Sequence, residues 1–83
     1  MDTIEIIQTI DEKDNFVVIE LKAGTATPEV VAQIPAYMGA VAEAENLPIR
    51  GILVASDFHK RVVLASRAIS NLDLKKLLNS IQV

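Results

Sequence analysis

Phe16-Val17-Val18-Ile19-Glu20-Leu21-Lys22 is the stretch whose reading decides the fold. It reads as an apolar β-strand with two charges set into it at a spacing of two. Successive side chains on a strand point to opposite faces. Phe16, Val18, Glu20 and Lys22 therefore share one face, and Val17, Ile19 and Leu21 line the other. A carboxylate and an ammonium in so apolar a strand are costly unless something outside the strand uses them. The pair marks a candidate site.

On the N-terminal side, Thr3 to Ile10 (TIEIIQTI) is a second, β-branched strand. Ile4, Ile6 and Ile10 fall on one of its faces, and Glu5, Ile7 and Thr9 on the other. Asp11-Glu12-Lys13-Asp14-Asn15 is a polar turn, so the two strands form an antiparallel hairpin with a loop of about four or five residues. If paired residue numbers sum to 25, Glu5 lies opposite Glu20 and Thr3 opposite Lys22. If they sum to 26, Ile6 and Ile4 take those places, because a one-residue slip flips every side chain. The sequence leaves both registers open.

On the C-terminal side, Thr27-Pro28-Glu29 starts a helix: Thr accepts a backbone N–H at the N-cap, Pro fits the first turn and Glu complements the dipole. Val30, Val31, Ile34, Met38 and Val41 form its buried stripe. Pro35 lies inside the pattern and removes a hydrogen bond at a cost of about 3 kcal/mol, which predicts a kink near Val31 or a break into two helices. Asn46-Leu47-Pro48 ends the helix. Ile49 to Ala55 is an apolar interior strand, parallel to Phe16–Ala23 through the helical crossover. Ser56-Asp57 is the expected N-cap of a second helix, with Phe58, Val62, Ala65 and Ile69 on one face and Ser70-Asn71 at its end. Leu72 to Val83 fits a strand or a helix equally. The fold class is α/β: a small mixed sheet, made of an antiparallel hairpin plus a parallel strand, covered by helices.

Composition narrows the function. Eighty-three residues, 51% of them hydrophobic, suit a single domain over 1–83. The chain has no Cys and one His, which excludes disulfides, thiolate nucleophiles and histidine metal clusters. No apolar run approaches the roughly 20 residues of a membrane span, and Asp2 and Glu5 do not suit a signal peptide. The expectation is a soluble, cytoplasmic protein with no membrane partner. The net charge of −3 divides unevenly: residues 1–46 hold nine acids and two bases, and residues 47–83 hold two acids and six bases. An acidic pocket beside a basic rim fits that split, and so do charges spread over solvated faces.

Glu20, a second acid and the Leu21 carbonyl together offer oxygen ligands suited to Mg²⁺, which binds one or two carboxylates plus phosphate oxygens. Lys22, on the same face, can orient or deprotonate a water, or neutralise charge at phosphorus. From spacing alone, a weak Glu/Lys pair on a half-exposed strand accounts for the same residues.

The run FVVIELKAGTATPEVVAQIPAYMGAV (16–41) resembles the core of the PD-(D/E)XK, or restriction-endonuclease-like, nuclease superfamily. Glu20-x-Lys22 matches its E-x-K motif, and Gln33-x-x-x-Tyr37 matches the Q-x-x-x-Y motif of RecB-like members. The run RGILVASDFHKRVVLASRAISNLDL (50–74) is similar to the segment that follows in the C-terminal nuclease domain of the NucS/EndoMS endonuclease family. The likeness extends from Ile4 to about Leu78. It implies a metal-binding role for Glu20, a catalytic role for Lys22, and positions for Gln33 and Tyr37 that steady the site or touch a DNA backbone. The implied activity is hydrolysis of DNA phosphodiesters with Mg²⁺ or Mn²⁺, and the implied partner is DNA.

The family's Asp on the strand before E-x-K has only Glu5 as a counterpart, with Asp2 a second candidate, and the family's earlier acid-bearing helix has none. The resemblance is therefore to a truncated core, which an acid from a second subunit would complete. Two other readings stand beside the nuclease. One is a catalytically silent relative used for nucleic-acid binding or dimerisation. The other is an interaction domain with an accidental Glu20-x-Lys22, which places that pair on open surface. His59, Lys60 and Arg61, with Arg50 and Arg67, are candidates for a DNA-facing rim. Lys75 and Lys76 either join it or guard an edge strand. An uncovered sheet edge and small size point to a homodimer.

Overall fold

A computed structural model describes residues 3–77, the side chains of 3–5 excepted. Its elements are β1 (Thr3–Ile10), β2 (Phe16–Lys22), β3 (Thr25–Ala26), α1 (Pro28–Glu45), β4 (Ile49–Ala55), β5 (Asp57–Phe58), α2 (Lys60–Ser66) and β6 (Leu72–Lys76). The main sheet runs β1-β2-β4-β6, and β3 and β5 form a two-stranded sheet of their own. β1 is antiparallel to β2, whereas β2, β4 and β6 are mutually parallel.

The turn between β1 and β2 is built by one side chain. Asp11 Oδ1 accepts the backbone N–H groups of Lys13 (2.9 Å) and Asn15 (3.0 Å), and Asp14 takes the left-handed conformation at φ 62°, which Asp tolerates better than bulkier residues. From Glu5 to Ile10 the paired numbers sum to 26: Ile6 faces Glu20 and Glu5 faces Leu21. An irregularity between Thr3 and Glu5 then returns Thr3 to Lys22. The hairpin thus combines the even register over most of its length with one feature of the odd register at its end.

Both helices cover one face of the sheet. Phe16 and Val18 of β2, Leu53 and Ala55 of β4 and Leu72 of β6 meet Val30, Ile34 and Met38 of α1 and Val62 of α2 in the core. Gly51 makes this approach possible: a Cβ there would sit 2.5 Å from Met38 Sδ and 3.2 Å from Leu72 Cδ1. Since Gly51 pairs with Val18, α1 runs back down the sheet from the end of β2.

Three local expectations are corrected. Pro35 does not divide its helix, which is continuous over Pro28–Glu45. The buried stripe of Val30, Ile34 and Met38 holds it together, consistent with helices in proteins drawing most of their stability from packing. Thr27 makes no side-chain cap hydrogen bond to the backbone. Ser56-Asp57 does not cap the second helix: Asp57–Phe58 is β5, paired with Thr25–Ala26, and His59 caps α2 by accepting the N–H of Arg61 at 3.1 Å. Of the ambiguous C-terminal stretch, Leu72–Lys76 is a strand, and 78–83 lie outside the described residues.

Candidate functional site

Glu20 lies on the helix-covered face of β2, an interior strand, between Ile6 of β1 and the fully buried Leu53 of β4. Glu20 is 5% and Lys22 6% exposed, the only buried polar or charged residues among those described. Lys22 Nζ stands 2.8 Å from Glu20 Oε2. Apart from this ion pair, Oε2 is sealed from solvent and accepts no hydrogen bond among the described residues. A buried oxygen without a hydrogen bond is rare and calls for an explanation. The open-surface placement expected of an accidental pair is not what is found.

The fold also seals the carboxyl end of β2 from above. After Lys22 the chain turns at Gly24 (φ 73°), where a left-handed residue is required. Ser56 grips that turn, donating both its N–H (3.1 Å) and its Oγ–H (3.0 Å) to the Gly24 carbonyl. The β3–β5 ladder and the His59 N–H to Ala26 O bond (3.0 Å) continue the closure. Around this end two carboxyls titrate below their ordinary values. A hydrogen bond from the Thr27 hydroxyl, then its own backbone N–H, lowers Glu29. The Phe58 N–H, then Lys76 at 3.3 Å, lowers Asp57.

The other sequence candidates separate into near and far. Tyr37 is half-buried, and its hydroxyl accepts a hydrogen bond from Gln8 Nε2 of β1. Gln33 is exposed on the same helical face. Gln33 stands one helical turn, about 5.4 Å, before Tyr37 on that face. Glu5 is paired by its backbone with Leu21 rather than Glu20. Asp2 lies outside the described residues. His59 is engaged in capping, Lys60, Arg61 and Arg67 are exposed around α2, and Lys75 and Lys76 are exposed on β6.

Arg50 is at the opposite end of the sheet. It reaches Asp11 Oδ2 at 3.3 Å and Asp73 Oδ2 at 3.4 Å, beside an open cleft of about 670 Å³ that Ile10 and Lys13 also line. Partial desolvation raises the Asp11 carboxyl, but hydrogen bonds from Asn15, the Lys13 N–H and Arg50 outweigh it and hold it below 3.8. This cleft lies away from Glu20 and holds no buried polar group, so the sealed pair is the better candidate for chemistry. Gln8 was not singled out by sequence. Its signal was available, a polar residue interrupting the Ile4-Ile6-Ile10 face of β1.

The donor set suits a hard divalent cation in one respect: the Glu20 oxygen has capacity to spare. Among the described residues no three His, Cys, Asp or Glu side chains come together as a metal cluster. No described helix is long and apolar enough to cross a membrane.

No protein-family profile matches the sequence. Solved structures do. The chain is 30% identical to EndoMS in its apo form, with a TM-score of 0.76 over 86% of this chain and 33% of that one. It is also 30% identical to a repair endonuclease from Pyrococcus abyssi, with a TM-score of 0.70 over 84% of this chain and 30% of that one. A structure of EndoMS in complex with double-stranded DNA gives 30% identity and a TM-score of 0.67, over 84% and 29%. The chain spans about a third of the length of the structures it matches.

Proposed function

We propose that this chain, whose fold is the nuclease fold of the EndoMS/NucS repair endonucleases, is a single domain that binds DNA and hydrolyses its phosphodiester bonds with Mg²⁺ or Mn²⁺. One observation carries the reading: a glutamate and a lysine sealed together at the carboxyl end of an interior strand, with Glu20 Oε2 lacking a hydrogen bond. Burying two charges costs several kcal/mol per ion unless geometry and additional partners compensate. A ligand for the unsatisfied oxygen supplies that compensation.

Glu20, with the Leu21 carbonyl, would hold the cation; because the register sets Ile6 rather than Glu5 opposite Glu20, a second acid would come from outside this strand pair. When bound, such an ion contributes positive charge at the phosphoryl oxygens and acidifies a coordinated water. As an ammonium, Lys22 has three N–H donors and no acceptor. Its part is to orient the attacking water and neutralise charge growing at phosphorus. Gln33, one helical turn before Tyr37, offers an exposed amide to the DNA backbone. Tyr37, fastened to Gln8, fixes α1 against β1 and so sets where Gln33 stands. Lys60, Arg61 and Arg67 form the basic rim. A second copy of the chain is the other partner.

Calorimetric titration of Mg²⁺ and Mn²⁺ into wild type and Glu20→Gln tests the reading, followed by cleavage of branched and mismatched DNA. Expected are saturable binding to wild type, its loss in Glu20→Gln, and cleavage that disappears with it. No metal binding in wild type, even with DNA present, would overturn catalysis and favour a silent nuclease-fold module that binds nucleic acid.

A further inference from the structure

Gln8 lies between Ile6 and Ile10 on the helix-covered face of β1, and all three are exposed. Its backbone pairs with Val18, two residues before Glu20 on the same face of β2. It therefore stands about 6.6 Å along the strand from the level of the sealed pair. Tyr37 reaches it from α1, with its ring packed against the core. In this contact Gln8 Nε2 donates and the Tyr37 oxygen accepts. A phenol has a single proton to give, and an N–H arriving at its oxygen turns that proton away from Gln8. Among the described residues no acceptor receives it. Turned the other way, the amide would take the proton through Oε1 and leave the hydroxyl no donor for anything else. An N–H donated to the oxygen also polarises the O–H and strengthens the bond it can give.

We propose that Gln8 is a positioning residue that aims the Tyr37 hydroxyl at a phosphate oxygen of the DNA backbone. The proposal rests on the DNA-binding part of the reading above and not on cleavage. An anionic oxygen is the acceptor that gains most, since hydrogen bonds with one charged partner are roughly twice as strong as neutral ones. The place suits such a ligand: Tyr37 is half-buried rather than sealed, and it shares its helical face with the exposed Gln33 amide. Neither Gln8 nor Tyr37 carries charge in this arrangement. The contact therefore sets where the duplex lies without adding to the release of its counterions.

Fluorescence anisotropy of a labelled DNA duplex, titrated without divalent cation so that nothing is cleaved, tests this. The proteins are wild type, Gln8→Met, Gln8→Glu, Tyr37→Phe and the double variant Gln8→Met with Tyr37→Phe, each shown to be folded by circular dichroism. Tyr37→Phe keeps the ring and loses the donor, so binding about tenfold weaker is expected, and about threefold weaker for Gln8→Met, which removes the aim but not the proton. Gln8→Glu, whose carboxylate takes the phenolic proton, should lose at least as much as Tyr37→Phe. In the double variant Gln8→Met should cost nothing beyond Tyr37→Phe. The losses in Gln8→Met and Tyr37→Phe should be equal at about 50 and 200 mM salt, since neither removes a charge. A bond that only fastens α1 to β1 would instead lower the denaturation midpoint and leave the affinity of the folded protein unchanged. That result, or a Gln8→Met loss of the same size with and without the Tyr37 hydroxyl, would overturn Gln8 as the aiming residue while leaving DNA binding intact. A wild type that does not bind the duplex would overturn DNA as the partner and this contact with it, and the metal titration would still read the cation site separately.

Discussion

At the two ends of its parallel strands the molecule holds the same chemistry in opposite settings. At the carboxyl end, Glu20 and Lys22 are sealed, 2.8 Å apart, and one oxygen has no hydrogen bond. At the amino end, Arg50 spans Asp11 and Asp73 at 3.3 and 3.4 Å, with its side chain 40% exposed. The amino-end group has more partners and better-satisfied oxygens, since Asp11 also closes the β1–β2 turn. Yet water already solvates its charges, so pairing gains little. The carboxyl-end pair has no such alternative. Counting ion pairs would rank the two ends wrongly; burial ranks them.

Breaking the sealed pair gives the largest expected effect. Lys22→Met leaves the Glu20 carboxylate buried without its cation, a loss of about 3–5 kcal/mol, which is comparable to the whole stability of a domain this small. Chemical denaturation should find it largely unfolded. Replacing both charges, Glu20→Leu with Lys22→Met, should restore folding to near wild type or above, while abolishing metal binding. A double variant as unstable as the single one would mean that the pair is structural rather than retained for a ligand.

The open end sharpens the contrast. Arg50→Ala removes two ion pairs at once, yet exposed pairs contribute only about 0–1 kcal/mol, and the difference from wild type should shrink further in 1 M salt, where the screening length is about 3 Å. A loss above 2 kcal/mol would show that the amino end is coupled to the core. The smallest effect is in acid. Asp11 is held below its ordinary value in the folded state, so its contribution is present above pH 3.8, falls as pH drops through the folded value, and is gone below it. Thermal melts of wild type and Asp11→Asn should therefore differ most near neutral pH and converge in strong acid. Curves that stay parallel would remove Asp11 from the acid response.

Much of the fold was legible because its signals are local. Alternation fixed β2, Thr27-Pro28 and Asn46 bounded α1, and the apolar run Ile49–Ala55 marked β4 as interior. The misreadings came where distant partners compete. Pro35 was expected to kink α1 near Val31 or to break it into two helices; the break does not occur, and the core contacts of Val30, Ile34 and Met38 hold the helix through it. Asp57 reads as a helix cap, but a partner strand at Thr25–Ala26 takes it into a ladder instead.

The candidate site divides along the same line. The sequence by itself placed Glu20 and Lys22 on one face of one strand, because side-chain direction along a strand follows from backbone geometry alone. It could not decide that the pair would be sealed, that Glu5 would pair with Leu21, or that Gln8 would hold Tyr37. Those outcomes depend on hairpin register, on where α1 crosses the sheet and on the Ser56–Gly24 closure. Each is settled by packing between residues far apart in the chain, and none of that packing is written into any one stretch.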